Sequence, residues 1–246
     1  ILKTLPIVIG VTLIAFLILH LTPGDPARIM LGPYATEENI QALKKKLNLD
    51  RPLPIQYLTW LKNIVRGDFG TSIRWNRPVM KVVSDRIGVT LILTSAGLFI
   101  SVSLGVLLGV GAALRKNSWL DYLCTTQAMF WISMPSFWLG ILLLYVFGLK
   151  FRLVPIGGMT GIESVILPAF TLGLRQEAWF ARPMRAEMLE VLNKEYIKAA
   201  KAKGVRKFKV VAKHALRNAL IPIVTMLALR LPWIIGGSVV IEIVFS

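Results

Sequence analysis

Arg175 and Glu177 interrupt one apolar stretch of this chain, and Arg230 interrupts the next. Charges among apolar residues are costly, and where they persist they face a polar cavity or a partner. Their chemistry is noncovalent: transient contact with the charged ends of a small solute, or an internal structural pair. Arg175 and Glu177 are two apart and point about 200° away from each other on a helix, so they do not pair directly. Arg175 lies 12 residues beyond Glu163 and Arg230 lies 12 residues beyond Asn218. At about 1.5 Å per residue, entered from opposite ends, both fall near the middle of an apolar layer of about 30 Å.

A second constellation is the basic segment from Arg175 to Arg217. It carries 12 Lys/Arg against 4 Asp/Glu, a surplus of 8 within a formal net charge of +16. It contains Glu195-Tyr-Ile-Lys-Ala199-Ala200-Lys-Ala-Lys203-Gly204-Val205. The small Ala199 and Ala200 permit close helix approach, and Gly204 supplies a positive φ, so the segment reads as helix, sharp turn, helix. Such a shape suits docking on another protein. A loop this cationic beside apolar spans faces the cytoplasm. Around the turn, Lys201, Arg206, Lys207 and Lys209 read equally as solvated charge, as lipid contacts or as complements to an acidic groove.

Covalent chemistry has no foothold. His20 and His214 lie far apart without Cys or acidic companions at ligand spacing, and Cys124 stands alone in an apolar run. No zinc site, nucleophile–base pair or phosphate-binding glycine loop assembles. No catalytic, metal-binding or cofactor-binding residue is assigned, and the chain is not read as an enzyme. The 55% hydrophobic and 17% charged composition exceeds the apolarity of a soluble domain. Mean hydropathy is +0.64. The positive charge sits between spans, which argues for a lipid bilayer and against nucleic acid as partner.

Five spans position these residues. Leu5–Leu21 has 17 uncharged residues, and Ile87–Leu114 and Tyr122–Leu149 have 28 each. Two weaker spans run from about Ser164 to Arg182 and from Ala219 to Phe245. Residues 1–22 lack a small-x-small cleavage site and read as a retained first helix. With 183–217 inside, Arg115 and Lys116 also fall inside, and the N-terminus, near Lys3, is cytoplasmic. The segments 22–86 and 150–163 then lie outside. Residues 22–86 carry 11 Lys/Arg and 6 acids over 65 residues, a length at which the charge rule weakens. Within them, Thr36 caps an amphipathic helix through Leu47, Tyr57–Val65 offers a second helix and Gly67-Asp-Phe-Gly70 a turn. This loop packs inertly, lies on the membrane surface or docks an external protein.

In the third span Pro135 sits between Ser133 and Ser136, whose hydroxyls can satisfy freed backbone groups. It reads as a packing kink or as a hinge lining a pathway. Gly105, Gly109 and Gly111 read as a close helix-packing set. His214 reads as the maker of a structural hydrogen bond.

Several stretches carry a resemblance. These are His20-Leu-Thr-Pro-Gly-Asp-Pro26, Gly67-Asp-Phe-Gly-Thr-Ser72, Arg77-Pro-Val79, Ser133-Met-Pro-Ser-Phe-Trp-Leu-Gly140 and Leu153-Val-Pro-Ile-Gly-Gly158. Lys198–Gly204, His214-Ala-Leu-Arg217-Asn218-Ala-Leu-Ile-Pro222 and Glu242-Ile-Val-Phe-Ser246 complete the series. In order and spacing the chain resembles the membrane permease subunits of ATP-binding-cassette importers, in the oligopeptide, dipeptide and nickel group. It departs from the general importer loop in two places. Lys198 stands at the Glu position before Ala199-Ala200, and Arg217 follows Leu216 where Pro would stand.

The resemblance implies an all-α polytopic membrane bundle in a bacterial or archaeal inner membrane, with a sixth helix missing beyond Ser246. It implies a homologous permease partner, two cytoplasmic ATPases that bind ATP and Mg, and an external substrate-binding protein. It assigns ATPase coupling to Glu195, Ala199, Ala200, Lys203, Gly204, Val205, His214, Arg217 and Asn218. Peptide, nickel chelate and other small solutes stay open as cargo. Pro135, Arg175, Glu177 and Arg230 are the pathway candidates. A stand-alone channel or ion-coupled transporter is the competing reading, opposed by the docking loop.

Overall fold

The computed structural model describes residues 4–21, 24–158 and 161–245. Lys3, the Thr22-Pro23 pair of the first matched stretch and the terminal Ser246 lie outside them. Regular structure among the described residues is helical, apart from one isolated antiparallel bridge between Thr71 and Pro78. The chain divides into two units, residues 1–86 and 87–246.

In the first unit, α1 (Thr4–Leu21) is apolar on every side, with Leu5, Ile7, Val8, Val11, Ile14 and Ile18 all exposed. A helix without a polar face is one made for lipid or a core. Among its described side chains Phe16 is buried, with ring centroids 5.4 Å from Tyr57 and 6.1 Å from Trp60 on α4 (Leu53–Val65). Thr12 Oγ1 and the Tyr57 hydroxyl are 3.0 Å apart. The second helix was expected from Tyr57 but begins at Leu53. Pro52 and Pro54 start it instead of interrupting it, because the first helical turn needs no N–H donors.

Between them lie α2 (Pro26–Leu31) and α3 (Glu37–Lys46). Thr36 caps α3 as expected, its Oγ1 accepting from the Asn39 N–H at 3.4 Å. Acids occupy the first turn of α3 and lysines the last, matching the helix dipole. Asp25 caps α2 through the Ala27 N–H at 3.1 Å, and Lys44 Nζ lies 2.6 Å from Asp25 Oδ2. The Lys44 hydrogen bond holds the Asp25 carboxyl below the usual carboxylate range. The 67–70 turn is present, with φ of +83° at Gly67 and +72° at Gly70.

The second unit is built on α5 (Val79–Leu114), whose first turns belong to the unit before, and α8 (Ile162–Leu192). Gly97, Ser101, Gly105, Gly109 and Ala113 recur every fourth residue of α5 and are all buried. A Cβ at Gly105 would lie 2.6 Å from Phe180 Cβ and 2.9 Å from the Glu177 carbonyl oxygen. One at Gly109 would lie 2.6 Å from the Ala181 carbonyl oxygen. On the α8 side, a Cβ at Gly173 would meet Ile100 Cγ2 at 2.6 Å. The small residues let the two backbones touch, as in membrane helix pairs. Gly111, expected in this set, is not part of it: a Cβ there meets nothing within 4 Å. It sits two residues from Gly109, on the other side of the helix.

Phe180, Met184 and Met188 of α8 are fully buried, making α8 the central helix of this unit. The remaining helices are α6 (Trp119–Ser133), α7 (Ser136–Leu143) and α9 (Glu195–Ala202), with the single turn α10 (Lys207–Lys209) and α11 (Leu216–Phe245). A π-helical stretch, Leu144–Lys150, extends α7, and another, Val210–Ala215, joins α10 to α11. Pro168 and Pro183 lie inside α8, and Pro222 and Pro232 inside α11.

The five expected spans correspond to α1, α5, α6 with α7, α8, and Lys207–Phe245. By length and apolarity alone, α5 and Lys207–Phe245 qualify, with a third if α6 and α7 count as one broken span. The stretch 122–149 is not a straight helix: it bends by 103° at Met134-Pro135. Pro135 takes an extended ψ of 135° and caps α7, so the bend is a full break. Ser133 Oγ returns to the Met129 carbonyl at 2.8 Å.

Candidate functional site

The expected helix–turn–helix is formed by α9, the turn at Gly204, and α10 with the π-helical stretch Val210–Ala215 that leads into α11. Lys194 precedes α9 with extended backbone, and Lys203 ends it. Gly204 follows with φ of +74°. Its N–H donates to the Lys201 carbonyl at 3.0 Å, and the Val205 N–H donates to the Ala200 carbonyl at 3.2 Å. This paired pattern is a Schellman closure, which requires a left-handed residue at the glycine position. Val205 and Ala200 pack together on the cluster formed by Ile197, Val210, Ala215 and Met188.

The opposite side of the turn is open. Glu195, Ala199, Lys203, Arg217 and Asn218 are exposed, and His214 is half-buried. Asn218 Nδ2 donates to the Tyr196 hydroxyl at 2.9 Å and to the His214 carbonyl at 2.9 Å. These bonds tie α11 to α9; at His214 it is the main chain that bonds. Lys198, at the position where the general importer loop has Glu, lies 2.8 Å from Glu195, an exposed pair of little energetic weight. At the junction with α8, Lys194 Nζ lies 2.7 Å from Glu190, and that hydrogen bond holds the Glu190 carboxyl below its usual range. The turn therefore presents a small-residue, basic surface on a braced scaffold.

The pathway candidates are not one cluster. Pro135 sits at the break before α7. Glu177 is 1% exposed and faces α6, where Gln127 Nε2 donates to its Oε1 at 2.6 Å. Its Oε2 is buried without a hydrogen-bond partner. Arg175 is half-buried, with Nε unpartnered, on the other side of α8. Arg230 of α11 stacks its guanidinium 3.4 Å from the centre of the Trp179 ring, a cation–π contact. Arg175 and Glu177 do not pair, as their spacing dictated.

Sequence reasoning passed over three polar contacts. Asp121 of α6 is almost fully buried and receives Arg185 of α8 in a two-point grip, Nε to Oδ1 at 2.5 Å and Nη2 to Oδ2 at 2.6 Å. The Asn117 N–H also donates to Oδ2, at 3.0 Å. Glu242 of α11 accepts from Thr90 Oγ1 at 2.8 Å and Ser238 Oγ at 3.4 Å. The third is Trp179 under Arg230. Two of the residues had a local signal: Asp121 is an acid in the first turn of an apolar helix, and Glu242 is a charge inside the Ala219–Phe245 span. Among the described residues no three His, Cys, Asp or Glu side chains are grouped to hold a metal ion.

Comparison with known proteins bears on the whole chain. The family described as binding-protein-dependent transport system inner membrane component matches residues 105–246. The corresponding N-terminal family matches residues 1–94. A protein of Brucella suis biovar 1 that carries a peptide permease name is 41% identical over 255 residues, covering 98% of this chain and 80% of that one. The glutathione transport system permease protein GsiC of Escherichia coli K12 is 41% identical over 242 residues, covering 98% and 79%. A crystal structure of an amino acid ABC transporter with histidines aligns with 67% of this chain and 74% of that chain, at a TM-score of 0.43 and 19% identity. The chain belongs to the family of binding-protein-dependent transport system inner membrane components, as a permease subunit in the peptide group of ATP-binding-cassette importers.

Proposed function

We propose that this chain forms half of the translocation pathway of an ATP-driven importer for peptides or a related small solute, glutathione and nickel chelates included. It pairs with a homologous permease, receives cargo from an external binding protein and is driven by two cytoplasmic ATPases that bind ATP and Mg. Its N-terminus and the 183–217 segment face the cytoplasm. Glu195, Ala199, Lys203, Gly204 and Arg217 present the open side to the ATPase, Ala200 and Val205 seat the turn on the cluster beneath, and Asn218 with the His214 main chain braces it.

The observation that carries this reading is the Gly204 closure. A helix turned back by a left-handed residue, with Ala199 and Lys203 exposed outside and Ile197 buried inside, is a rigid projection. Rigidity is what a part that passes motion between subunits must have. Gly204→Val places β-branched bulk at a φ of +74°, where such residues are strained by about 1–2 kcal/mol. The variant is expected to reach the membrane at the normal level but to lose copurification with the ATPases or ATP-dependent uptake. Normal assembly and uptake would remove the coupling role. Uptake that persists without ATPase subunits would favour a stand-alone channel or ion-coupled transporter.

A further inference from the structure

Among the described residues, only Arg185 of the second unit's arginines has a carboxylate partner, and three of the seven without one, Arg175, Arg182 and Arg230, lie in the apolar spans of α8 and α11. On α8, Arg182 lies about 20° around the axis from Arg175 and Trp179 about 40° to the other side, so all three share one face. Arg230 joins that face from α11 by stacking on Trp179. The face is open: Arg182 and Trp179 are exposed, and Arg175 and Arg230 are half-buried. Gly97, Gly105 and Gly109 of α5 approach α8 elsewhere, and α6 takes the sides bearing Glu177 and Arg185.

The acids of the spans are committed away from that face. Further along α8, Glu163 and Glu187 lie about 120° around the axis from Arg175, and Glu190, which shares the face about two turns beyond Arg182, is paired with Lys194. Glu177 is buried against Gln127, Asp121 is gripped by Arg185, and Glu242 is held by Thr90 and Ser238. A face with guanidinium groups along it and no unpaired carboxylate beside them is unsuited to lipid tails, which solvate charge poorly. It suits a polar passage, and it is not neutral toward what passes. Guanidinium groups bind carboxylates in charge-assisted hydrogen bonds and repel ammonium groups.

We propose that Arg175, Arg182 and the Arg230–Trp179 pair form a cationic lane in the solute pathway that favours peptides with excess carboxylate over peptides with excess ammonium. This rests on the peptide-importer reading above and adds to it a substrate class. Stacking under Trp179 fixes the Arg230 guanidinium while leaving its edges free to donate, so contact is oriented yet brief enough for release.

The test uses vesicles holding the assembled importer, with this chain, its permease partner, both ATPases and the binding protein. ATP-dependent uptake of Ala-Glu-Ala, Ala-Ala-Ala and Ala-Lys-Ala is measured. The binding protein is the same in every arm, so its own preference cancels when variants are compared. Arg182→Gln and Arg175→Gln should each lower the uptake ratio of Ala-Glu-Ala to Ala-Lys-Ala about tenfold. The two cargo side chains differ by two unit charges, so this is the effect of one guanidinium charge roughly 12 Å away at an effective dielectric of about 40. Arg182→Lys, which keeps the charge, should hold the ratio within about twofold of the parent. If Arg175→Gln lowers the amount of chain in the membrane, exposed Arg182 decides the matter. An unchanged ratio in Arg182→Gln with active uptake overturns the lane alone. Parent vesicles that take up none of the three peptides overturn the importer reading and the lane with it.

Discussion

Arg185→Ala would strand a carboxylate whose side chain is only 5% exposed, while Asp121→Ala would strand a guanidinium that is 30% exposed. The two deletions are therefore not equivalent, although they remove the same two bonds of 2.5 and 2.6 Å. Each bond involves charged groups and contributes about 1.5–3 kcal/mol before resolvation of the group left behind. After Asp121→Ala, Arg185 can turn toward water or headgroups, and a net loss of about 2–3 kcal/mol is expected. After Arg185→Ala, Asp121 keeps only the Asn117 N–H, so the loss should reach the 3–5 kcal/mol typical of a broken buried pair. Removing both side chains should cost less than the sum of the two, because neither charge is then stranded. The measurement is denaturant-driven unfolding of the purified chain in detergent micelles for the parent, both single variants and the double variant. Effects that add within about 0.5 kcal/mol would refute the pair as an energetic unit. Equal single losses would refute the burial argument.

Gly109→Leu drives a side chain into the Ala181 carbonyl and Met184, and should destabilise by about 1–3 kcal/mol in the same unfolding assay. Gly111→Ala, in open space, should stabilise by up to about 1 kcal/mol. Thr90→Val removes the 2.8 Å donor to Glu242 without changing shape, and should lower stability by about 1–3 kcal/mol, an effect lost when Glu242 is first replaced by Met, which offers Thr90 no such oxygen acceptor. In a Cys124→Ala background, a membrane-impermeant thiol reagent applied to intact cells should label Asn48→Cys but not Lys207→Cys; the reverse pattern would invert the proposed orientation.

What could be read beforehand was local. Thr36 announced a cap because its hydroxyl serves donors within its own turn, and Gly204 announced a left-handed closure because the chain must reverse at that residue. Pro135 marked a kink or hinge because it lacks an N–H and crowds the preceding turn, although the full break of 103° depends on how α7 packs beside α11, where a Cβ at Gly140 would lie 3.2 Å from Phe245. What could not be read depended on register between distant segments. Thr90 and Glu242 are 152 residues apart, and Asp121 and Arg185 are 64 apart. Nothing within either segment selects its partner. The glycines show the same limit. Gly105, Gly109 and Gly111 are chemically identical, and only the orientation of α5 toward α8 separates the two that touch from the one that does not. Arg175, Glu177 and Arg230 stood out through their cost in an apolar setting, but the ring beneath Arg230 belongs to the tertiary arrangement.

The contact of α5 with α8 through bare backbone has a mechanical side. Where side chains separate two helices, a push on one is partly absorbed by rotamer changes and small shifts of flexible stems. At Gly105 and Gly109 there is no such cushion, since the facing atoms are the main chain and Cβ positions of residues 177–185. Compliance there is close to that of the backbone itself, so the two helices act as one strut. One end of that strut is Leu192, separated from α9 by only Asn193 and Lys194. Under the proposed coupling role, a displacement entering at the braced turn would pass along that strut to α5, and a methyl group added at either of these two glycines would soften the strut as well as weaken the fold.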